Sequence, residues 1–145
     1  YFQSQGTSYM QFQLITNPDT SKSLAYKIAR VVYAETGAKS LRVVEALTSM
    51  IKNFSVASEH DMEQIISDSN VFEVLKTSSP YHERMFVAPT SCGFQMCLRV
   101  AVRMLHGMLP DCCYGATQFH HDNTIPKWAT SRGYIADIDG LLFYL

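Results

Sequence analysis

The sequence predicts an α+β fold, mainly helical, of about four helices followed by a small C-terminal antiparallel β-sheet. Two observations carry that prediction. Through the first two-thirds, apolar residues recur every three or four positions; past Gly107 they shorten into alternating runs around an Asp-Gly turn. A third observation bounds it: 145 residues, 47% apolar and 17% charged, suffice for one hydrophobic core and are too apolar for disorder.

The chain opens with "YFQSQGTSYM", which reads as the remainder of a protease-cleavable tag, so residues 1–6 are set aside and 7–145 are taken as one domain. A signal or anchor removed with that leader would leave no trace here. The first helix is expected across "LAYKIARVVYAETG". Asn17, Asp19, Thr20 and Ser21 offer N-cap chemistry, Leu24, Ile28, Val31 and Val32 share a face, and Gly37 supplies the stop. Glu35 therefore falls in the last turn.

A second helix is expected over Ser40 to Asn53, with Leu41, Val44, Leu47 and Ile51 inward and Arg42, Glu45 and Lys52 outward. The third begins at "SEHD", where Ser58 can cap and Asp61 completes a near capping box; it carries Met62, Ile65 and Ile66. A short helical piece follows at Val71 to Lys76. Residues 77–94, with two prolines and no sustained period, read as a long irregular loop. The fourth helix is expected from Gln95 to His106, with Met96, Cys97, Val100, Ala101, Met104 and Leu105 inward. "GATQFHHD" then reads as a strand, "NTIPKWATSRG" as a loop, and "YIADIDGLLFYL" as a hairpin turning at Asp139–Gly140.

Composition removes several function classes. A formal charge of −1 gives neither a basic footprint for nucleic acid nor a polybasic membrane patch. No apolar run approaches the ~20 residues of a membrane helix. P-loop, G-x-G-x-x-G, G-x-S-x-G and H-E-x-x-H patterns are absent. Cys92, Cys97, Cys112 and Cys113 lack zinc-ligand spacing and leave free thiols or one disulfide between the two pairs as readings. A thiol nucleophile would need one of them beside His106, His120 or His121. No metal or cofactor is expected, and a monomer is.

Two candidates for chemistry remain. Glu35 ends an apolar helix, where the negative end of the dipole and the loss of water both disfavour a charged carboxylate, the condition of a general acid. Local sequence admits a solvated helix-end residue as well, and favours it. Secondly, Phe119, His120 and Trp128 suit a groove wall for sugars, because rings stack on apolar sugar faces while imidazole and indole N–H groups reach hydroxyls. A core aromatic cluster fits the same composition. Adjacent His120 and His121 on a strand point to opposite faces and cannot share a metal ion.

Taken together the blocks resemble a known family. "LAYKIARVVYAETG" resembles the "ARVVYAEARG" signature of SleB/CwlJ-type cell-wall hydrolases; "RVAVRMLHGMLPDCCYGATQFHHDNTIPKWA" is similar to that family's helix, "G…PD…GALYFYNP"-like strand and tryptophan–alanine loop; "IDGLLFY" resembles its closing "IGNHVFY". The matches keep their order from Leu24 to Tyr144.

The resemblance implies a lysozyme-like catalytic domain in the cell envelope, acting on peptidoglycan between N-acetylmuramic acid and N-acetylglucosamine. It places the family's catalytic glutamate on Glu35. It implies a lytic transglycosylase in which that one residue serves as acid and then base, with Phe119, His120, Trp128 or Tyr144 lining the substrate groove. A true hydrolase would need a second carboxylate, for which Asp122, Asp137, Asp139 and Glu83 are candidates. A binding module that lost turnover is the further alternative. The chain departs from the family after Glu35, with Thr36-Gly37-Ala38-Lys39 for Ala-Arg-Gly-Glu, at His120-His121-Asp122 for "YNP", and at Leu141 for the histidine before the final "FY".

Overall fold

A computed structural model describes residues 23–145. The tag-like residues 1–6 and the capping candidates Asn17, Asp19, Thr20 and Ser21 lie outside the described residues. Four helices run α1 (Leu24–Thr36), α2 (Leu41–Ser58), α3 (Met62–Ile66) and α4 (Cys92–Leu105). Three strands follow: β1 (Gln118–His121), β2 (Ala136–Ile138) and β3 (Leu141–Tyr144). The fold class read from sequence is the observed one. Among the described residues no helix is long and apolar enough to cross a membrane.

Helix α1 starts at Ser23, whose hydroxyl accepts from the Tyr26 N–H. It packs most extensively on α4, and α2 closes the group against both. Ile28, Ala29 and Val32 of α1, Val44, Leu47 and Ile51 of α2, and Phe94, Cys97, Leu98 and Ala101 of α4 are fully buried between them. Each large apolar side chain withdrawn from water this way contributes about 1.5–3 kcal/mol.

Several boundaries differ from the sequence reading. Helix α2 continues past Asn53 to Ser58, because nothing in "FSVAS" breaks it. Ser58 is its last residue, turned back onto the Phe54 carbonyl, so it does not cap the next helix. Asp61 does, with its N–H donating to the Gln64 side chain. Leu41, taken as inward, is 48% exposed because it begins α2 before the helix reaches the core. Helix α4 starts a turn early, at Cys92 after Ser91, and ends at Leu105 rather than His106. Packing against both α1 and α2 sets its buried stripe at Phe94, Gln95, Cys97, Leu98, Val100, Ala101 and Met104, leaving Met96 and Leu105 half-buried. The stretch between α3 and α4 is a chain of turns with two 3₁₀ segments, Glu73–Leu75 and His82–Phe86.

The sheet has the order β1-β3-β2, all antiparallel, with β3 central. The predicted hairpin turn is present: Asp139 and Gly140 both take positive φ, 49° and 85°, as a tight turn between two twisted strands requires. Phe119 pairs with Phe143 and His121 with Leu141, so these four share the face turned to the helices. His120 lies opposite Leu142 and shares the other face with Tyr144.

The end of α1 is closed with unusual care. Gly37 adopts φ 63° and returns its N–H to the Tyr33 carbonyl at 2.7 Å. Thr36 Oγ1 donates to Val32 O and accepts from the Ala38 N–H. Arg84, from the long connection, donates to the Ala34 carbonyl at 3.2 Å, and a Cβ at position 37 would lie 3.0 Å from its Nη1. Gly37→Ala is therefore expected to lower stability by about 1–2 kcal/mol through the left-handed backbone alone. A shift of the urea midpoint measures it; an unchanged midpoint would contradict this account of the cap.

Candidate functional site

Thr36 and Gly37 fix where α1 stops, and that decides what Glu35 can do. The side chain is 3% exposed, yet it lines a cleft of about 560 Å³. One side of the cleft is the connection between α3 and α4, contributing Asn70, Val71, Glu73, Lys76 and Tyr81. The other is β1 and the loop after it, contributing Phe119, His120, His121, Asn123, Ile125 and Trp128. Its lining mixes apolar side chains such as Val71, Ile125 and Trp128 with polar ones such as Asn70, Lys76 and Asn123.

Glu35 is not an isolated acid among apolar neighbours, which corrects the sequence expectation. Its Oε1 lies 2.7 Å from His121 Nε2, a contact between residues 86 positions apart. The His121 ring packs 5.6 Å from the Tyr81 ring and 6.1 Å from Phe119, centroid to centroid. Tyr81 in turn lies under the Arg84 guanidinium, 4.2 Å from its carbon. Arg84 also holds the Ala34 carbonyl, so Arg84, Tyr81, His121 and Glu35 form a closed circuit of contacts around the end of α1.

His120 faces the other way, as adjacent strand residues must. Its Nε2 bonds the Tyr144 hydroxyl at 2.8 Å and its Nδ1 lies 2.7 Å from the His121 carbonyl, with the Tyr144 ring stacked at 5.3 Å. Trp128 packs edge-on against both rings, at 5.7 Å from His120 and 5.0 Å from Tyr144, and is 37% exposed. Arg132 sits over Trp128 and Tyr144 and hydrogen-bonds Gln118 and the Leu145 carbonyl. The aromatic cluster and the groove wall, posed as alternatives by the sequence, are one structure: a packed cluster whose Trp128 edge reaches the cleft.

Of the five residues the sequence singled out, Glu35, Phe119, His120 and Trp128 line the cleft. Tyr144 does not; it is 4% exposed and buttresses His120 from behind. Sequence reading missed His121 as the partner of Glu35. The available signal was the period of the strand: Phe119 and His121 share a face, so a wall built on Phe119 includes His121 rather than His120 alone.

The candidate second carboxylates are dispersed. Asp122 and Asp139 line an adjoining recess of about 440 Å³ with Lys39 and Ser40, and the Ser40 hydroxyl donates to Asp139. Asp137 and Glu83 are exposed and line neither cavity. Glu73, unremarked in the sequence, shares the cleft with Glu35.

The four cysteines are free. Burial pushes the Cys97 and Cys113 thiols up to about 12, which leaves neither as a thiolate near neutral pH. Among the described residues no group of three or more His, Cys, Asp or Glu side chains is gathered for a metal ion. Comparison with known proteins returned no matching family model, no matching curated protein and no matching solved structure.

Proposed function

We propose that this chain cleaves the glycan strands of peptidoglycan between N-acetylmuramic acid and N-acetylglucosamine, as a lytic transglycosylase of the SleB/CwlJ type working in the cell envelope. The observation that carries the reading is a carboxylate 3% exposed that still opens onto a cleft walled by aromatic and hydrogen-bonding groups. A carboxyl group that opens onto a cleft is within reach of a ligand held there and can hand a proton to a glycosidic oxygen. Trp128, 37% exposed, offers ring surface to sugar faces, with Phe119 packed behind the wall, and Asn70, Asn123 and Lys76 offer donors to hydroxyl and acetamido oxygens.

The step balances with one acid. Glu35 gives its proton to the glycosidic oxygen as the anomeric C–O bond breaks. The C6 hydroxyl of the muramic residue attacks the anomeric carbon, and the Glu35 carboxylate takes the hydroxyl proton. The products are one strand that ends in N-acetylglucosamine bearing the freed, protonated hydroxyl and one that ends in 1,6-anhydro-N-acetylmuramic acid, with no water consumed.

One observation favours a second reading. Glu73 lines the same cleft, so a hydrolase in which it activates water has a carboxylate available. Mass spectrometry of muropeptides released from purified sacculi separates the readings. Anhydro termini are expected; products heavier by one water would assign hydrolysis, and sacculi bound without release would leave a binding module.

A further inference from the structure

Under that reading Glu35 acts twice in a turnover, and between the two steps it is a carboxylate with almost no access to water. An anion so buried is costly unless a donor reaches it. Among the described residues its hydrogen-bond partner is His121 Nε2, 2.7 Å from Oε1. We propose that His121 is a positioning residue for Glu35, donating its Nε2–H to Oε1 and leaving Oε2 for the glycosidic oxygen. The inference rests on the reading of Glu35 as the acid, but the pairing itself can be tested without it.

Three features hold the imidazole to this task. His121 ends β1 on the face shared with Phe119, which aims it at α1 rather than toward Tyr144. Tyr81 packs against its ring, 5.6 Å centroid to centroid. Arg84 fastens Tyr81 and the last turn of α1 together, by stacking on the one and bonding the Ala34 carbonyl of the other. The donor and the carboxylate are thus tied to the same fixed point, one residue from Glu35. When Glu35 releases its proton, the charge-assisted hydrogen bond to His121 strengthens as the transition state forms, so its loss is read in kcat rather than KM.

The test uses His121→Ala, which removes the donor, and His121→Gln, whose side-chain amide can return an N–H to the same place. On sacculi, His121→Ala is expected to lose about a hundredfold in kcat with KM nearly unchanged, while His121→Gln stays within about tenfold of wild type. Equal loss in both variants, or a loss confined to KM, would overturn the assignment. If the wild-type chain releases nothing from sacculi, the functional reading falls, and nitrogen-edited NMR decides the pairing alone. A His121 Nε2–H protected from exchange in wild type and unprotected in Glu35→Ala is expected. An Nε2–H that exchanges freely in both would overturn it.

Discussion

Glu35→Gln is expected to abolish release of soluble muropeptides from sacculi, with a loss of roughly 10³–10⁴-fold, while the fold is kept. The size follows from the number of tasks the residue holds. General acid–base catalysis contributes about 10²–10⁴-fold, and here one side chain would supply both the acid and the base. An amide is the same shape, and its oxygen can accept from His121 Nε2–H as the carboxylate does. It has no proton to give a leaving oxygen and cannot take one from a hydroxyl. Because Glu35 is 3% exposed, the neutral amide is also no harder to bury than the acid, so thermal stability should hold or rise slightly. Clearance of a sacculus suspension, run beside circular dichroism of both proteins, measures the two quantities. A variant that folds and still clears sacculi at wild-type rate removes Glu35 from the mechanism.

The sequence made the fold legible where local signals agree. Helix α1 carries its periodic face and its Gly37 stop within one short stretch, and both appear as expected. The Asp139–Gly140 turn is equally local: two residues that accept positive φ stand between alternating strands. Boundaries failed where two signals competed. Ser58 has cap chemistry, yet the helix already running through Phe54 and Val56 absorbed it, and the cap passed to Asp61. The loop read over residues 77–94 ended too late: α4 already runs through Gly93, because one glycine costs a helix only about 1 kcal/mol and the burial of Phe94 and Cys97 exceeds that.

The candidate site was legible only in part, for a geometric reason. Glu35, Phe119, His120 and Trp128 could be named because each has side-chain chemistry that stands out locally. The contacts that define the site could not, since Glu35 meets His121 across 86 positions and Arg84 reaches Ala34 across 50. Residues 77–94 carried no periodic signal, and they contribute Tyr81 and Arg84, which hold the far side of the cleft and the end of α1. The stretch Thr36-Gly37-Ala38-Lys39 has a structural role of its own. Thr36 and Gly37 close the helix, and the Arg84 guanidinium packs so near Gly37 that a Cβ there would press it back by a few tenths of an ångström.

Phe143→Ala is expected to be the most destabilising single truncation near the site, at about 3–5 kcal/mol. Phe143 is fully buried in the central strand β3, paired with Phe119 on one side and Ala136 on the other. Its ring lies 6.3 Å from Phe119, whose ring in turn lies 5.7 Å from Phe72 of the α3–α4 connection. Removing it opens a cavity between sheet and helices that neither neighbour can fill without leaving its own contacts. Against a total stability of about 5–15 kcal/mol the loss is large, and the melting temperature should fall by roughly 10 °C. Phe143→Leu keeps most of the volume and should cost well under half as much. The same comparison reports on the site. Phe119 and His121 stand on the face that Phe143 supports, whereas His120, Trp128 and Tyr144 pack on the other. At temperatures where Phe143→Ala is still folded, glycan cleavage should therefore fall more than the fluorescence of Trp128 changes. A fall of only a few degrees, or loss of the Trp128 signal before loss of cleavage, would mean that the two faces of the sheet are not separately supported.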